Sequence, residues 1–159
     1  MITQGAKANL NGKAFEDMMT TLFQTHRFEV TTEAEMNRRT EPLPDRYVIK
    51  NAKYKTIYEE GGRTEFVIVD GERRIRVEAK FQMSQGSVDE KFPYMLLNGI
   101  YAYPENEVIF VVDGDGYKPG ARVWLQRQID NDWLEYREHG KDIKLMRLIE
   151  FVNWFNAEF

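Results

Sequence analysis

The stretch RTEFVIVDGERRIRVEAK, Arg63 to Lys80, constrains the fold more than any other part of this chain. Two apolar runs flank Asp70-Gly71, and a loop at Gly71-Glu72 makes them a β-hairpin, because glycine in the first central position suits a type II′ turn. The register then follows. Asp70 faces Arg73, Ile68 faces Ile75 and Phe66 faces Val77, giving one wholly apolar face that can cover a core. On the other face Glu65 comes opposite Glu78, with Lys80 two residues further on. Opposed residues have Cβ atoms only about 4.5–5.5 Å apart, and facing like charges destabilise a sheet unless something between them offsets the repulsion.

The segments around the hairpin supply the rest of an α/β fold. Phe15, Met18, Met19, Leu22 and Phe23 fall at helical spacing, so a helix is predicted from about Asn11 to His26 with Asn11 as its cap. A polar stretch with Pro42 and Pro44 leads into an extended segment, Tyr47 to Tyr58, and Gly61-Gly62 reads as a turn. Ser87 and Glu90 have the spacing of a capping box, but Pro93 lies too deep for a helix capped at Ser87, so the cap lies later or the first turn is irregular. Tyr94 to Tyr103 reads as helix ended by Pro104, and EVIFVVDGDG reads as a buried strand closed by glycines. Beyond Pro119, the spacing of Leu125, Ile129 and Trp133 predicts another helix, followed by a strand over Ile143 to Leu148 and an amphipathic helix to about Asn156. The expected architecture is a central mixed β-sheet flanked by helices in one domain, residues 1–159, which is ample length for one core.

Composition narrows the chemistry. With no cysteine, disulfides, thiol nucleophiles and cysteine-rich zinc sites are excluded, and His26 and His139 stand in no metal-ligand spacing. No apolar run approaches the roughly 18–20 residues of a membrane span, and MITQGAKANLNGK lacks the apolar centre of a signal peptide, so a cytoplasmic protein is expected. The net charge of −4 argues against a nucleic-acid partner until its distribution is considered. Between Arg38 and Lys55 six basic residues stand against two acids, with tyrosines interleaved. That mixture suits phosphates and exposed bases, and it nominates Arg38, Arg39, Arg46, Lys50, Lys53, Tyr54 and Lys55 as a DNA-contacting segment. A solvated loop and strand would also account for it.

Two carboxylates and an ammonium on one ribbon face form a socket for a hard divalent cation, since Mg²⁺ takes oxygen ligands from one or two carboxylates together with substrate phosphates. Glu16, at the margin of the first helix's apolar stripe, is placed to supply a third acid, or else simply favours the helix's positive end. Other readings exist for the same residues. A cross-strand salt-bridge cluster would use them structurally. A retaining glycosidase needs two carboxylates about 5 Å apart, yet neither Lys80 nor the basic segment is what a neutral sugar requires. The Asp113-Gly-Asp115-Gly stretch lacks the later ligands of a calcium loop and reads as a turn.

Glu16 on an early helix, then Glu65, then Glu78-Ala79-Lys80, Gln82 and the GSVDEKFPY segment opening a helix together resemble the PD-(D/E)xK nuclease superfamily, which includes restriction enzymes, resolvases and phage nucleases. The resemblance runs from about Gly12 to Phe110 and implies a restriction-endonuclease-like core performing metal-dependent phosphodiester hydrolysis. It implies Glu65, Glu78 and Glu16 as ligands of Mg²⁺, for which Mn²⁺ can substitute, and Lys80 as the group that orients the attacking water. Gln82 would touch metal-bound water or phosphate. Thr64-Glu65 departs from the family's usual Pro-Asp by lengthening the carboxylate arm one methylene. The expected function is a Mg²⁺-dependent DNA endonuclease, acting as a homodimer or larger assembly where both strands are cut. The alternative is a non-cutting nucleic-acid-binding or protein-interaction module of the same fold.

Overall fold

A computed structural model describes residues 4–159 other than Ser84, with side chains from Gly12 onward. Its centre is a six-stranded sheet in sequential order: β1 (Glu29–Thr32), β2 (Arg46–Lys55), β3 (Gly61–Asp70), β4 (Arg73–Phe81), β5 (Glu107–Asp113) and β6 (Asp142–Met146). β2, β3 and β4 form an antiparallel meander, whereas β1 joins β2, β5 joins β4 and β6 joins β5 in parallel. Parallel neighbours need crossovers. The helices that supply them are α2 (Glu33–Arg38), α3 (Phe92–Tyr101) and α4 (Pro119–Asp130), with α1 (Gln4–Thr25) before the sheet and α5 (Leu148–Glu158) after it. The chain is therefore an α/β fold with a mixed sheet, as its pattern predicted.

Alternation along the strands divides the core into layers. On one face, Met19 and Phe23 of α1 and Phe151 and Phe155 of α5 pack on Val48, Phe66, Ile68, Ile75, Val77, Ile109 and Val111. On the other, α3 and α4 cover Val108, Phe110 and Val112 of β5, while Ile49, Ala52, Val67 and Val69 form a smaller cluster against Met36 of α2. The hairpin has the predicted register, with Phe66 opposite Val77, Ile68 opposite Ile75 and Asp70 opposite Arg73. Gly71 adopts φ of 61°, the conformation glycine tolerates at the first loop position of a type II′ turn.

Several element boundaries differ from expectation for local reasons. α1 begins at Gln4, so Asn11 lies inside the helix and does not start it; the preceding residues include alanines, Lys7 and Leu10, all good helix formers. The polar stretch after His26 contains an unpredicted strand and helix, β1 and α2, and the helix is fixed by a capping box between Thr32 and Glu35. The β2–β3 turn is made by Ile57 to Glu60, with Glu59 at φ of 62°, and the glycines open β3 instead. Gly62 is needed there because a Cβ would lie 2.8 Å from the Tyr54 ring. Ser87 makes no side-chain cap; a 3-10 turn over Val88–Lys91 precedes α3, the irregular start that Pro93 implied. α4 ends at Asp130, leaving Trp133 in a separate 3-10 turn where its ring packs edge-on to Trp124.

Candidate active site

The β3–β4 ladder stops one pair short of the two glutamates. Phe66 and Val77 are its last partners, after which β4 continues with β5, pairing Glu78 with Phe110 and Lys80 with Val112, while β3 stays with β2. Glu65 and Glu78 thus line the opening where the two strands part. Glu65 has no ladder partner in β2 either, because Asn51, the residue it would face, turns into the left-handed region at φ of 49°.

By strand alternation Glu78 and Lys80 lie on the face turned toward α3 and α4, opposite to Ile75, Val77 and Ala79 in the α1–α5 core. Glu78 is 7% exposed. Lys80 Nζ donates to its Oε1, and its Oε2 is buried with no hydrogen-bond partner. Burial pushes the Glu78 carboxyl above its ordinary range, against the opposing pull of Lys80, Arg76 and the backbone amide of Glu65. Glu65 is also shifted upward, first by burial and then by the negative charges of Glu78 and Glu16, with Lys80 opposing. The charges of Glu78, Lys80 and Glu16 all act on Glu65, although Glu65 is not the ladder partner of Glu78 that the predicted register made it.

The remaining expected site residues have other local partners. Glu16 extends from α1, on the opposite side of the sheet, and accepts a hydrogen bond from Lys50 Nζ at 2.7 Å. Its charge still reaches Glu65. Gln82 shapes the loop after β4: its Oε1 accepts the Val88 N–H at 2.9 Å, and its carbonyl accepts the Gly116 N–H at 2.7 Å. Among the described residues, no three acidic or imidazole side chains form a ready cation cage. The basic segment is distributed over two elements and largely ion-paired. Arg39 binds Glu29, Arg46 binds Asp70 at 3.1 Å and Lys53 reaches Glu33 at 3.8 Å. Arg46 also lies over the Phe28 and Phe159 rings. Arg38 and Lys55 are exposed, whereas Tyr54 is half-buried against Tyr103.

Sequence reasoning missed the support behind these residues. Arg76, 2% exposed, donates from Nε to Glu105 Oε2 at 2.5 Å, from Nη1 to Thr64 Oγ1 at 2.8 Å and to the Ala52 carbonyl at 3.2 Å, and from Nη2 to Glu105 Oε1 at 3.2 Å and to the Lys53 carbonyl at 3.3 Å. Its guanidinium also faces the adjacent Tyr54 and Tyr103 rings. This fan of bonds ties β2, β3 and β4 together beside the opening. The clue was an arginine alternating with Ile75 and Val77 in a run otherwise suited to burial. Thr64, standing where a proline was usual, is the hydroxyl acceptor in that fan.

A mixed α/β sheet whose central hairpin opens beside two carboxylates and a lysine has a restriction-endonuclease-like fold. The chain belongs to the PD-(D/E)XK nuclease superfamily: the family model described as a PD-(D/E)XK nuclease superfamily domain matches residues 7–159. No curated protein and no solved structure matches the chain at a significant level.

Proposed function

We propose that the chain is a Mg²⁺-dependent DNA endonuclease whose centre is Glu65, Glu78 and Lys80. The observation that carries this reading is the unpartnered Glu78 Oε2, buried beside a second carboxylate of raised pKa. An isolated buried carboxylate oxygen is costly, and a second negative charge acting on it adds repulsion; a divalent cation offsets both. The donor set is all-oxygen and suits Mg²⁺, which needs few protein ligands where phosphate and water complete its shell. Glu78 and Glu65 would hold it. When bound, the ion lowers the pKa of a water nucleophile and neutralises charge on the phosphoryl oxygens.

The chain's own groups supply positioning. Glu78 fixes the Lys80 ammonium through Oε1, leaving the other ammonium protons for the attacking water and a phosphate oxygen. Lys80 thereby stabilises negative charge developing on the phosphoryl group. Arg76 and Thr64 hold the backbone of the two strands at the point of separation. A second reading, a DNA-binding module of the same fold that does not cut, draws on the 2.7 Å Lys50–Glu16 bond, which engages the third acid.

Incubation with supercoiled plasmid separates these readings. The nuclease reading expects nicking with Mg²⁺ or Mn²⁺, none in EDTA, and a loss on the order of 10³-fold in Glu78→Gln, the scale of several kcal/mol of charge stabilisation. Plasmid that stays supercoiled under every metal while still being bound supports the non-cutting module.

A further inference from the structure

Glu78 Oε2 has one counterpart among the described residues: Arg122 Nε, a buried cationic donor without a partner. Arg122 lines a groove of about 740 Å³ together with Arg127, Arg147, Gln126, Asn131 and Tyr117. We infer that this groove is a second nucleic-acid contact, in which the Arg122, Arg127 and Arg147 guanidiniums take successive phosphates of the strand running out of the active centre. The inference rests on the nuclease reading for the identity of the strand.

Position supports the assignment. The groove runs along α4 from Pro119 to Asn131, and its wall at Gly114 and Asp115 lies just past the carboxyl end of β5, where crevices of parallel sheets receive ligands. One wall is the turn at Gly114 and Asp115, bonded to the strand end that carries Lys80: Gln82 N–H donates to the Asp113 carbonyl at 3.2 Å, and Gly116 N–H donates to the Gln82 carbonyl at 2.7 Å. Gly114, at φ of 94°, admits this contact because a Cβ would lie 2.3 Å from the Gln82 oxygen. The groove is thus joined through one residue's backbone to the segment just past the proposed catalytic lysine.

Charge and shape select phosphodiester. Guanidinium forks match phosphate oxygens, and a buried Nε is satisfied by an anionic acceptor. The acids nearby are already engaged in part: Asp130 accepts from Gln126 Nε2 at 2.9 Å, and Asp113 accepts the Leu148 N–H at 2.8 Å while standing 3.6 Å from Arg147. Asp115 also lines the groove. Exposed Val123 offers apolar surface suited to sugars between phosphates.

The test is fluorescence anisotropy of a labelled DNA duplex across a salt series in EDTA, using Arg122→Gln, Arg127→Glu and the double variant. At about 0.9 per phosphate contact, the double variant is expected to flatten the slope of log affinity against log salt by roughly 2, and Arg127→Glu alone by about 1. Arg127 is exposed, so its replacement keeps the test valid if Arg122→Gln fails to fold. An unchanged slope in Arg127→Glu overturns the assignment. Unchanged slopes with inorganic phosphate raising the melting temperature also overturn it, because the groove then takes small anions only. Binding without metal is independent of cleavage, so a wild-type protein that never nicks plasmid would remove the nuclease reading and leave the salt slopes to judge the groove.

Discussion

The face of β4 turned toward α3 carries two ion pairs that differ in completeness. In the Arg76–Glu105 pair both carboxylate oxygens accept from the guanidinium, and every remaining Arg76 nitrogen direction meets a carbonyl, a hydroxyl or an aromatic face. In the Lys80–Glu78 pair one carboxylate oxygen is left over. The two glutamate side chains are both buried, 2% and 9% exposed, so carboxylate burial alone does not distinguish the pairs, although Lys80 at 26% is more open than Arg76 at 3%. Satisfaction does. A closed pair has spent its hydrogen-bonding capacity on the fold, whereas an open pair retains capacity for a ligand.

Breaking the closed pair gives the largest expected effect. Arg76→Met leaves Glu105 buried without its partner and should cost about 3–5 kcal/mol in urea unfolding, while Arg76→Met with Glu105→Leu should recover most of the loss. A single variant as stable as wild type would show that the two pairs do not differ in the way described. Loading the open pair comes next. Mg²⁺ at about 100 times its dissociation constant should stabilise the chain by roughly 2.7 kcal/mol, read as a rise in melting temperature that Glu78→Gln abolishes. An equal rise in both proteins would place the ion elsewhere.

The smallest effect is on pH dependence, and its sign follows from the raised carboxyl of Glu78. A group whose folded pKa lies above its unfolded value favours the folded state at low pH, and that advantage disappears as pH rises from the unfolded value through the folded one. The stability of Glu78→Gln relative to wild type should therefore increase as pH climbs from the ordinary glutamate range toward neutrality. The Mg²⁺-induced melting shift should grow over the same interval, because protons and metal compete for the carboxylates. Stability curves that remain parallel in pH would remove the proposed burial penalty.

The hairpin was legible because alternation and a glycine turn fix the register from Asp70–Arg73 to Phe66–Val77, but the expected pairing of Glu65 with Glu78 one step further is not made. The separation of the strands was not legible, since it depends on β4 finding β5 from a distant part of the sequence. Thr32 and Glu35 did carry a readable helix start, hidden by the polarity of the residues around them. The basic segment was the least transferable inference: composition registers a local excess of cations, but the acids that pair with them lie on α1, β1, α2 and the end of β3. The fan around Arg76 was obscured for a similar reason, as Glu105 lies 29 residues away.

Glu65 is free of ladder neighbours on both flanks, with Asn51 turned aside and β4 diverging. Most strand residues cannot move without breaking the pairing of the chains beside them, but this one can slide or tilt with little disturbance to the sheet. Under the proposed function that freedom makes the position a natural adjuster, able to absorb a change in arm length or in the radius of a bound ion.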